Sequence, residues 1–212
     1  MPSHEQARPL LNAEALACRR GGRYLFKGLS FELAPGQALE LRGANGSGKS
    51  SLLRLLAGLM PAAAGAARWS GQPAKAGQAG VAYLGHLNGL SPELSALDNL
   101  RFARQLSGDP AEPPDEALRA WGLEAVAMRP VQRLSQGQQR RTALARVGMA
   151  RQRLWLLDEP CAGLDEAGER LFDARLAQHL AGGGLAVIAT HQPLRLPAGQ
   201  CRPLVLGQPT AC

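Results

Sequence analysis

Apolar positions along the chain follow two rhythms. Gln37-Ala38-Leu39-Glu40-Leu41-Arg42 alternates with the period of two expected of a strand, whereas Ser51 to Ala57 repeats at helical intervals before Gly58, a residue placed to end a helix. Upstream, Ala13 to Cys18 and Tyr24 to Leu33 read as two strands joined by the turn Arg20-Gly21-Gly22-Arg23, with Ala34-Pro35-Gly36 as a second turn. An antiparallel β lobe is therefore expected ahead of residue 37, preceded by a flexible N-terminus over residues 1–12. Met60 to Gly80 is rich in Ala, Gly and Pro and holds one short candidate strand around Ala67-Arg68-Trp69.

Further along, Val81 to Leu84, Leu154 to Leu157 and Leu185 to Ala189 are continuous apolar runs of strand length. Helical spacing recurs at Leu94, Leu97 and Leu100 and again at Ala117, Leu118 and Trp121, with a loop from Gly108 to Pro114, so a helical lobe is expected over about residues 87–145. Helices from Thr142 to Met149 and from Glu166 to about Leu180 precede the last two of those strands. Strands buried on both faces and alternating with helices predict an α/β fold whose parallel sheet presents a site at its C-terminal edge.

One segment on that edge carries recognisable chemistry. Gly43-Ala44-Asn45-Gly46-Ser47-Gly48-Lys49-Ser50, followed by Ser51, fits G-x-x-x-x-G-K-[ST] between a strand and a helix. In that context the backbone N–H groups and the helix N-terminus form an anion nest for the phosphates of a nucleotide. Lys49 would reach the β- and γ-phosphates, and the Ser50 hydroxyl would ligate a bridging Mg²⁺. Asp158 stands just past an apolar strand, where its carboxylate can serve as a second metal ligand. Glu159, beside it, can accept a hydrogen bond from the attacking water, as a general base or as a positioning group, a role typically worth about 10²–10⁴ in rate. His191 ends the next strand and reads either as a hydrogen-bonding partner of the γ-phosphate or as a structural histidine. Ser135-Gln136-Gly137 opens a helix, whose free N–H groups can hold a second anion. That makes sense if it completes the nucleotide site of another molecule.

Composition narrows the setting. The four cysteines, Cys18, Cys161, Cys201 and Cys212, show neither metal-ligand spacing nor a disulfide framework, which suits ordinary thiols in a reducing compartment. The N-terminal residues lack a signal-peptide layout and no apolar run reaches membrane-spanning length, so a soluble, cytoplasmic protein is expected. A formal charge of +7, from 24 basic and 17 acidic residues, points to an anionic partner or to a solvated basic surface. Aromatics make up only 4% of residues, too few to build stacking platforms for single-stranded nucleic acid; a position beside an anionic leaflet fits better.

Together these residues resemble the nucleotide-binding domain of an ABC transporter, over about Ala13 to Leu206, with 207–212 as a tail. Gly43 to Ser50 matches its Walker A motif, Leu134-Ser135-Gln136-Gly137-Gln138 its signature, and Leu154 to Asp158 its Walker B. Glu159 matches the catalytic glutamate, Ala162-Gly163-Leu164-Asp165 the D-loop, and His191 the switch histidine. The resemblance implies a P-loop NTPase with a mixed, mainly parallel sheet, an antiparallel β lobe and an inserted helical lobe. It also implies ATP and Mg²⁺ as cofactors and a head-to-tail homodimer whose signature residues complete the opposite subunit's site. Closure and hydrolysis would then drive a membrane partner.

Two positions depart from that pattern: His86 stands where these domains carry the Q-loop glutamine, and Arg20, with Tyr24 four residues on, stands where an aromatic stacks on the base. The combination of Tyr83-Leu84-Gly85-His86, Leu134 to Arg146, Leu154 to Pro160 and Thr190 to Leu194 is similar to the ATPase subunit of the cytochrome c maturation system. That similarity implies integral membrane subunits of a haem-handling complex as partners, at the cytoplasmic face of the bacterial inner membrane. No C-x-x-C-H motif occurs, so direct haem binding is not expected, nor is nucleic acid. The same nucleotide fold serves soluble ATP-gated clamps on nucleic acid or ribosomes, but those carry two such domains or a long coiled-coil insertion.

Overall fold

The computed structural model describes residues 10–107, 112–150, 152–197 and 199–207. Strands β1 (Leu11–Arg20) and β2 (Arg23–Leu33) form an antiparallel hairpin in which Arg20 pairs with Arg23. Its two-residue turn has Gly21 at φ 56° and Gly22 at φ 80°, the positive values that a tight hairpin matching strand twist demands at both central positions. Strand β3 (Ala38–Arg42) leads into helix α1 (Lys49–Leu56), and β4 (Ala64–Trp69) and β5 (Gln72–Pro73) complete the hairpin's sheet in the order β2-β1-β4-β5. Ala15, at φ 47°, interrupts the β1–β2 and β1–β4 registers as a bulge.

The second sheet is built from β6 (Val81–Leu84), β7 (Leu154–Asp158), β8 (Leu185–Ala189), β3 and β9 (Cys201–Val205), in the order β6-β7-β8-β3-β9. Every pairing in it is parallel. The mixed character expected of the sheet thus resolves into two sheets, one parallel and one antiparallel. Between β6 and β7 lies the helical lobe: α2 (Ala96–Ser107), α3 (Pro114–Ala120), two single 3₁₀ turns and α4 (Gln136–Met149). Helix α5 (Glu166–Ala181) connects β7 to β8.

Alternation along β7 and β8 divides the core. Leu154, Leu156, Leu185 and Val187 pack with α1 and the antiparallel lobe. Trp155, Leu157, Ala186 and Ile188 face the helical lobe and α5, among Leu100, Leu118, Leu144 and Phe172. The helical lobe therefore shares a core with the sheet rather than forming one of its own.

Three boundaries differ from the sequence expectation. β1 begins at Leu11, which is fully buried and pairs with both Leu33 and Trp69, so residues 11 and 12 belong to the folded domain; residues 1–9 lie outside the described ones. Leu94 precedes its helix and is partly exposed, because Ser95 caps α2 by accepting the Asp98 N–H at 3.0 Å. β9 has no counterpart in the apolar pattern; it is an edge strand, where Pro203 is tolerated. Leu11→Ala should cost about 2–5 kcal/mol in denaturant unfolding, as for a buried leucine. Unchanged stability would instead return this strand end to the flexible N-terminus.

Candidate active site

Strand order fixes the layout of the site. The C-terminal ends of β6, β7, β8 and β3 lie side by side, and each carries at its end or just beyond it a residue singled out above: His86, Asp158 with Glu159, His191, and Gly43. His86, Asp158, Glu159 and His191 face one cavity of about 630 Å³. Its floor is the phosphate loop, represented by Asn45, Gly46, Gly48, Lys49, Ser50 and Ser51, and its walls carry Asp158, Glu159, His86 and His191. Arg20 and Leu25, from the hairpin of the antiparallel lobe, close one side.

Glycine is required twice in the loop. A Cβ on Gly43 (φ 143°) would lie 2.5 Å from the Leu206 carbonyl oxygen, and one on Gly48 (φ 102°) 3.1 Å from both Leu25 and Phe26. Gly48 is also the N-cap of α1 and supplies no capping side chain, so first-turn N–H groups of the helix remain available to an anion. Buried Lys49 turns back across the loop, its Nζ donating to the carbonyls of Gly43 (2.7 Å) and Ala44 (3.3 Å). The ammonium is thus held at the loop, beside the position a nucleotide's phosphates would take. Gly43, Ala44 and Ser47 complete the loop without lining the cavity.

Asp158 is 4% exposed and lines the cavity with Ser50. Oxygen donors of this kind fit a hard divalent cation. Among the described residues no three His, Cys, Asp or Glu side chains form a metal site by themselves. A cation here would take its other ligands from phosphate and water, as Mg²⁺ usually does. Glu159 adopts φ 48°, rare for a residue with a side chain, with its N–H donating to Ala189 O at 2.8 Å. Its Oε1 lies 3.4 Å from His191 Nε2. The proposed base and the proposed phosphate sensor are therefore neighbours on adjacent strands.

Other predicted residues lie elsewhere. Tyr24 does not line the cavity; half-exposed, it carries the Arg19 guanidinium 6.0 Å and the Lys27 ammonium 5.6 Å from its ring centroid. Of the two base-stacking candidates only Arg20 reaches the cavity, next to Leu25. The signature residues also stand outside it. Exposed Ser135 caps α4 in a reciprocal box, accepting the Gln138 N–H (3.2 Å) while Gln138 Oε1 accepts the Ser135 N–H (3.0 Å). Leu134 is buried beneath this turn and Gln136 is exposed. Gly137 packs so closely on the D-loop that a Cβ there would lie 2.8 Å from the Gly163 carbonyl oxygen. Asp165 caps α5 by accepting the Gly168 N–H at 2.8 Å.

Arg140 escapes the sequence reading. It is 3% exposed and donates to the carbonyls of Asp158, Glu159 and Pro160 and, across the site, to Gly85. Burial pulls its pKa below the ordinary arginine value, opposed by the charges of Asp158, Cys161 and Glu159. In the sequence only a run of polar residues marks it.

Cys161, two residues after Glu159, carries a thiol that resists ionisation. Burial, reinforced by the charges of Asp173 and Glu169, pushes its thiol up to about 12. A raised thiol pKa keeps the neutral form across physiological pH. At pH 8 its thiolate fraction should be roughly a thousandfold below that of an ordinary thiol of pKa about 8.5. Iodoacetamide should accordingly label Cys161 far more slowly than a free cysteine, as read by peptide mass spectrometry; equal rates would show an activated thiol.

Residues 26–162 match the family model described as ABC transporter. Among relatives, the cytochrome c biogenesis ATP-binding export protein CcmA 2 of Cupriavidus metallidurans is 49% identical over 195 residues, covering 89% of this chain and 92% of that protein. The CcmA protein of Bordetella bronchiseptica is 52% identical, covering 91% and 87%. The fold agrees with an ATP-binding subunit of an ABC transporter (TM-score 0.77, 24% identity, covering 86% of this chain and 79% of that one). It agrees equally with a putative ABC transporter ATP-binding protein from Pyrococcus furiosus (TM-score 0.79, 20% identity, covering 92% and 96%). With its phosphate loop, its Asp-Glu strand end and these relatives in agreement, the chain belongs to the ABC transporter family, as an ATP-binding, ATP-hydrolysing subunit.

Proposed function

We propose that this ATPase works as a homodimer with Mg²⁺ and ATP, beneath the membrane subunits of a haem-handling complex in cytochrome c maturation. The observation that carries the hydrolytic part is the Glu159–His191 pair, 3.4 Å apart, facing the phosphate loop across one cavity. Ser50 and Asp158 would hold Mg²⁺, which supplies charge neutralisation between the β- and γ-phosphates. Lys49 and the N–H groups of α1 bind and orient the phosphates. Glu159 takes the proton of the attacking water as the bond from the γ-phosphorus to the bridging oxygen breaks, and His191 donates a hydrogen bond to the γ-phosphate oxygens. Arg20 stacks its guanidinium plane on the base, in place of an aromatic ring.

The placement of the signature turn supports the dimer. Ser135 to Gln138 offer a helix N-terminus to an anion, yet stand outside the chain's own site. In a head-to-tail pair they would close the opposite subunit's site, with Asp165 beside them at the interface. The relatives named for cytochrome c biogenesis support the choice of membrane complex. Among the described residues no helix is long and apolar enough to cross a membrane, which fits peripheral attachment at the cytoplasmic face. His86 lines the nucleotide cavity while its neighbour Leu87 is 82% exposed, a placement suited to relay the state of the γ-phosphate to a membrane subunit.

Glu159→Gln should leave ATP binding intact and lower turnover about a hundredfold, measured by phosphate release beside nucleotide titration. Wild-type turnover would remove Glu159 from the chemistry. Leu87→Asp should leave the ATPase rate of the isolated protein unchanged and abolish its co-purification with membrane subunits; retained co-purification would place the contact elsewhere.

A further inference from the structure

We propose that Arg140 is a positioning residue that locks Glu159 in its working conformation and ties it to both the signature helix and the His86 loop. The proposal rests on the reading of Glu159 as the base.

A guanidinium has five N–H donors in a fixed plane, and here all five are used. Nε donates to Pro160 O (3.1 Å); Nη1 donates to Gly85 O (3.2 Å) and Asn88 Oδ1 (2.9 Å); Nη2 donates to Asp158 O (2.5 Å) and Glu159 O (2.7 Å). None of the five acceptors is a carboxylate. Burying a cation against neutral oxygens costs desolvation that no ion pair repays, visible in the lowered pKa of this arginine. What the arrangement gives is geometry: four backbone carbonyls and one amide, from two separate turns, are held by one rigid fork.

Those turns are the functional ones. Glu159 sits at φ 48°, a conformation that persists in a residue with a side chain only when its surroundings over-determine it. Its N–H is fixed by Ala189 O, and its carbonyl accepts both from Arg140 (2.7 Å) and from the Ala162 N–H (3.1 Å). Without Arg140 the carbonyl is left to the single, longer bond from Ala162, and the peptide can relax toward ordinary φ, turning the carboxylate away from His191. On the other side, Asn88 and Gly89 are also bonded to α4 through Arg146, whose Nη2 donates to Asn88 O at 3.0 Å and whose Nη1 donates to Gly89 O. The loop bearing His86 is therefore fastened to α4 by two arginines, and Arg140 alone extends the fastening to the hydrolytic turn. Because Ser135 caps the same helix, displacement of the signature by a partner molecule is transmitted to Glu159 through this fork.

The test compares Arg140→Lys, Asn88→Ala, Glu159→Gln and Arg140→Lys/Glu159→Gln for kcat, KM and ATP affinity. Lysine keeps the charge but has three donors on a flexible stem and cannot reproduce the fork. Arg140→Lys should lower kcat at least about tenfold with KM and ATP affinity within about twofold of wild type, and should add nothing to the loss in the Glu159→Gln background, read by single-turnover kinetics. Asn88→Ala, which removes one acceptor and keeps the arginine, should lower kcat about two- to fivefold at unchanged KM and decides the matter if Arg140→Lys folds poorly. Wild-type kcat in a folded Arg140→Lys or in Asn88→Ala overturns the proposal, as does a further loss in the double variant, which would show action outside Glu159. Should Glu159→Gln itself turn over normally, it is the assignment of the base that fails.

Discussion

The structure depends on how polar backbone groups are satisfied where parallel strands end. Strands β6 and β7 end at Leu84 and Asp158, the latter still paired with Ala189, and the carbonyls of Gly85, Asp158 and Glu159 lie in a region that must be both ordered and open to a nucleotide. Water would satisfy those carbonyls but would not fix them. Arg140 does both with a single planar group, at the cost of burying a positive charge. Glu159, proposed as the base, can persist at positive φ because it is restrained on both sides, by Ala189 of β8 at its N–H and by Arg140 of α4 and the Ala162 N–H at its carbonyl.

This constraint also explains the placement of the helical lobe. Leu100, Leu118, Trp121 and Leu144 share one core with Leu157 and Ile188, so the signature helix, packed on β6, belongs to the same core as the hydrolytic strand. The capping box that presents Ser135, the close approach of Gly137 to Gly163 and the Asp165 cap then form one continuous surface beside the site. A chain built this way offers a phosphate-binding floor and, under the proposed dimer, a half-site for another molecule.

Much of this was legible in the sequence, for identifiable reasons. The phosphate loop demands glycine at positions where any Cβ would strike a neighbour, so its spacing is nearly diagnostic. β7 and β8 are buried on both faces and therefore read as unbroken apolar runs. Other elements left no such trace. β9 is an edge strand whose residues, Cys201 to Val205, alternate nothing and include a proline; only pairing with β3 makes it a strand. Leu11 follows a polar N-terminal stretch, and its burial arises from partners at Leu33 and Trp69. Arg140 sits in Gln136 to Arg141, a stretch that reads as a solvated helix face, while its acceptors lie 18 to 55 residues away. Alternation in a hairpin cannot tell which face meets the nucleotide, so the sequence does not show that Tyr24 stands outside the cavity, its ring beside Arg19 and Lys27.

The central claim is that each chain holds half of a nucleotide site and lends its signature to another. Doubly tagged mixed dimers, with Lys49→Ala in one copy and Ser135→Arg in the other, test it directly by the stoichiometry of tight ATP binding. A head-to-tail arrangement gathers both defects into one site and leaves the other intact, so one ATP per mixed dimer is predicted. Two tightly bound ATP molecules, or none, would contradict it.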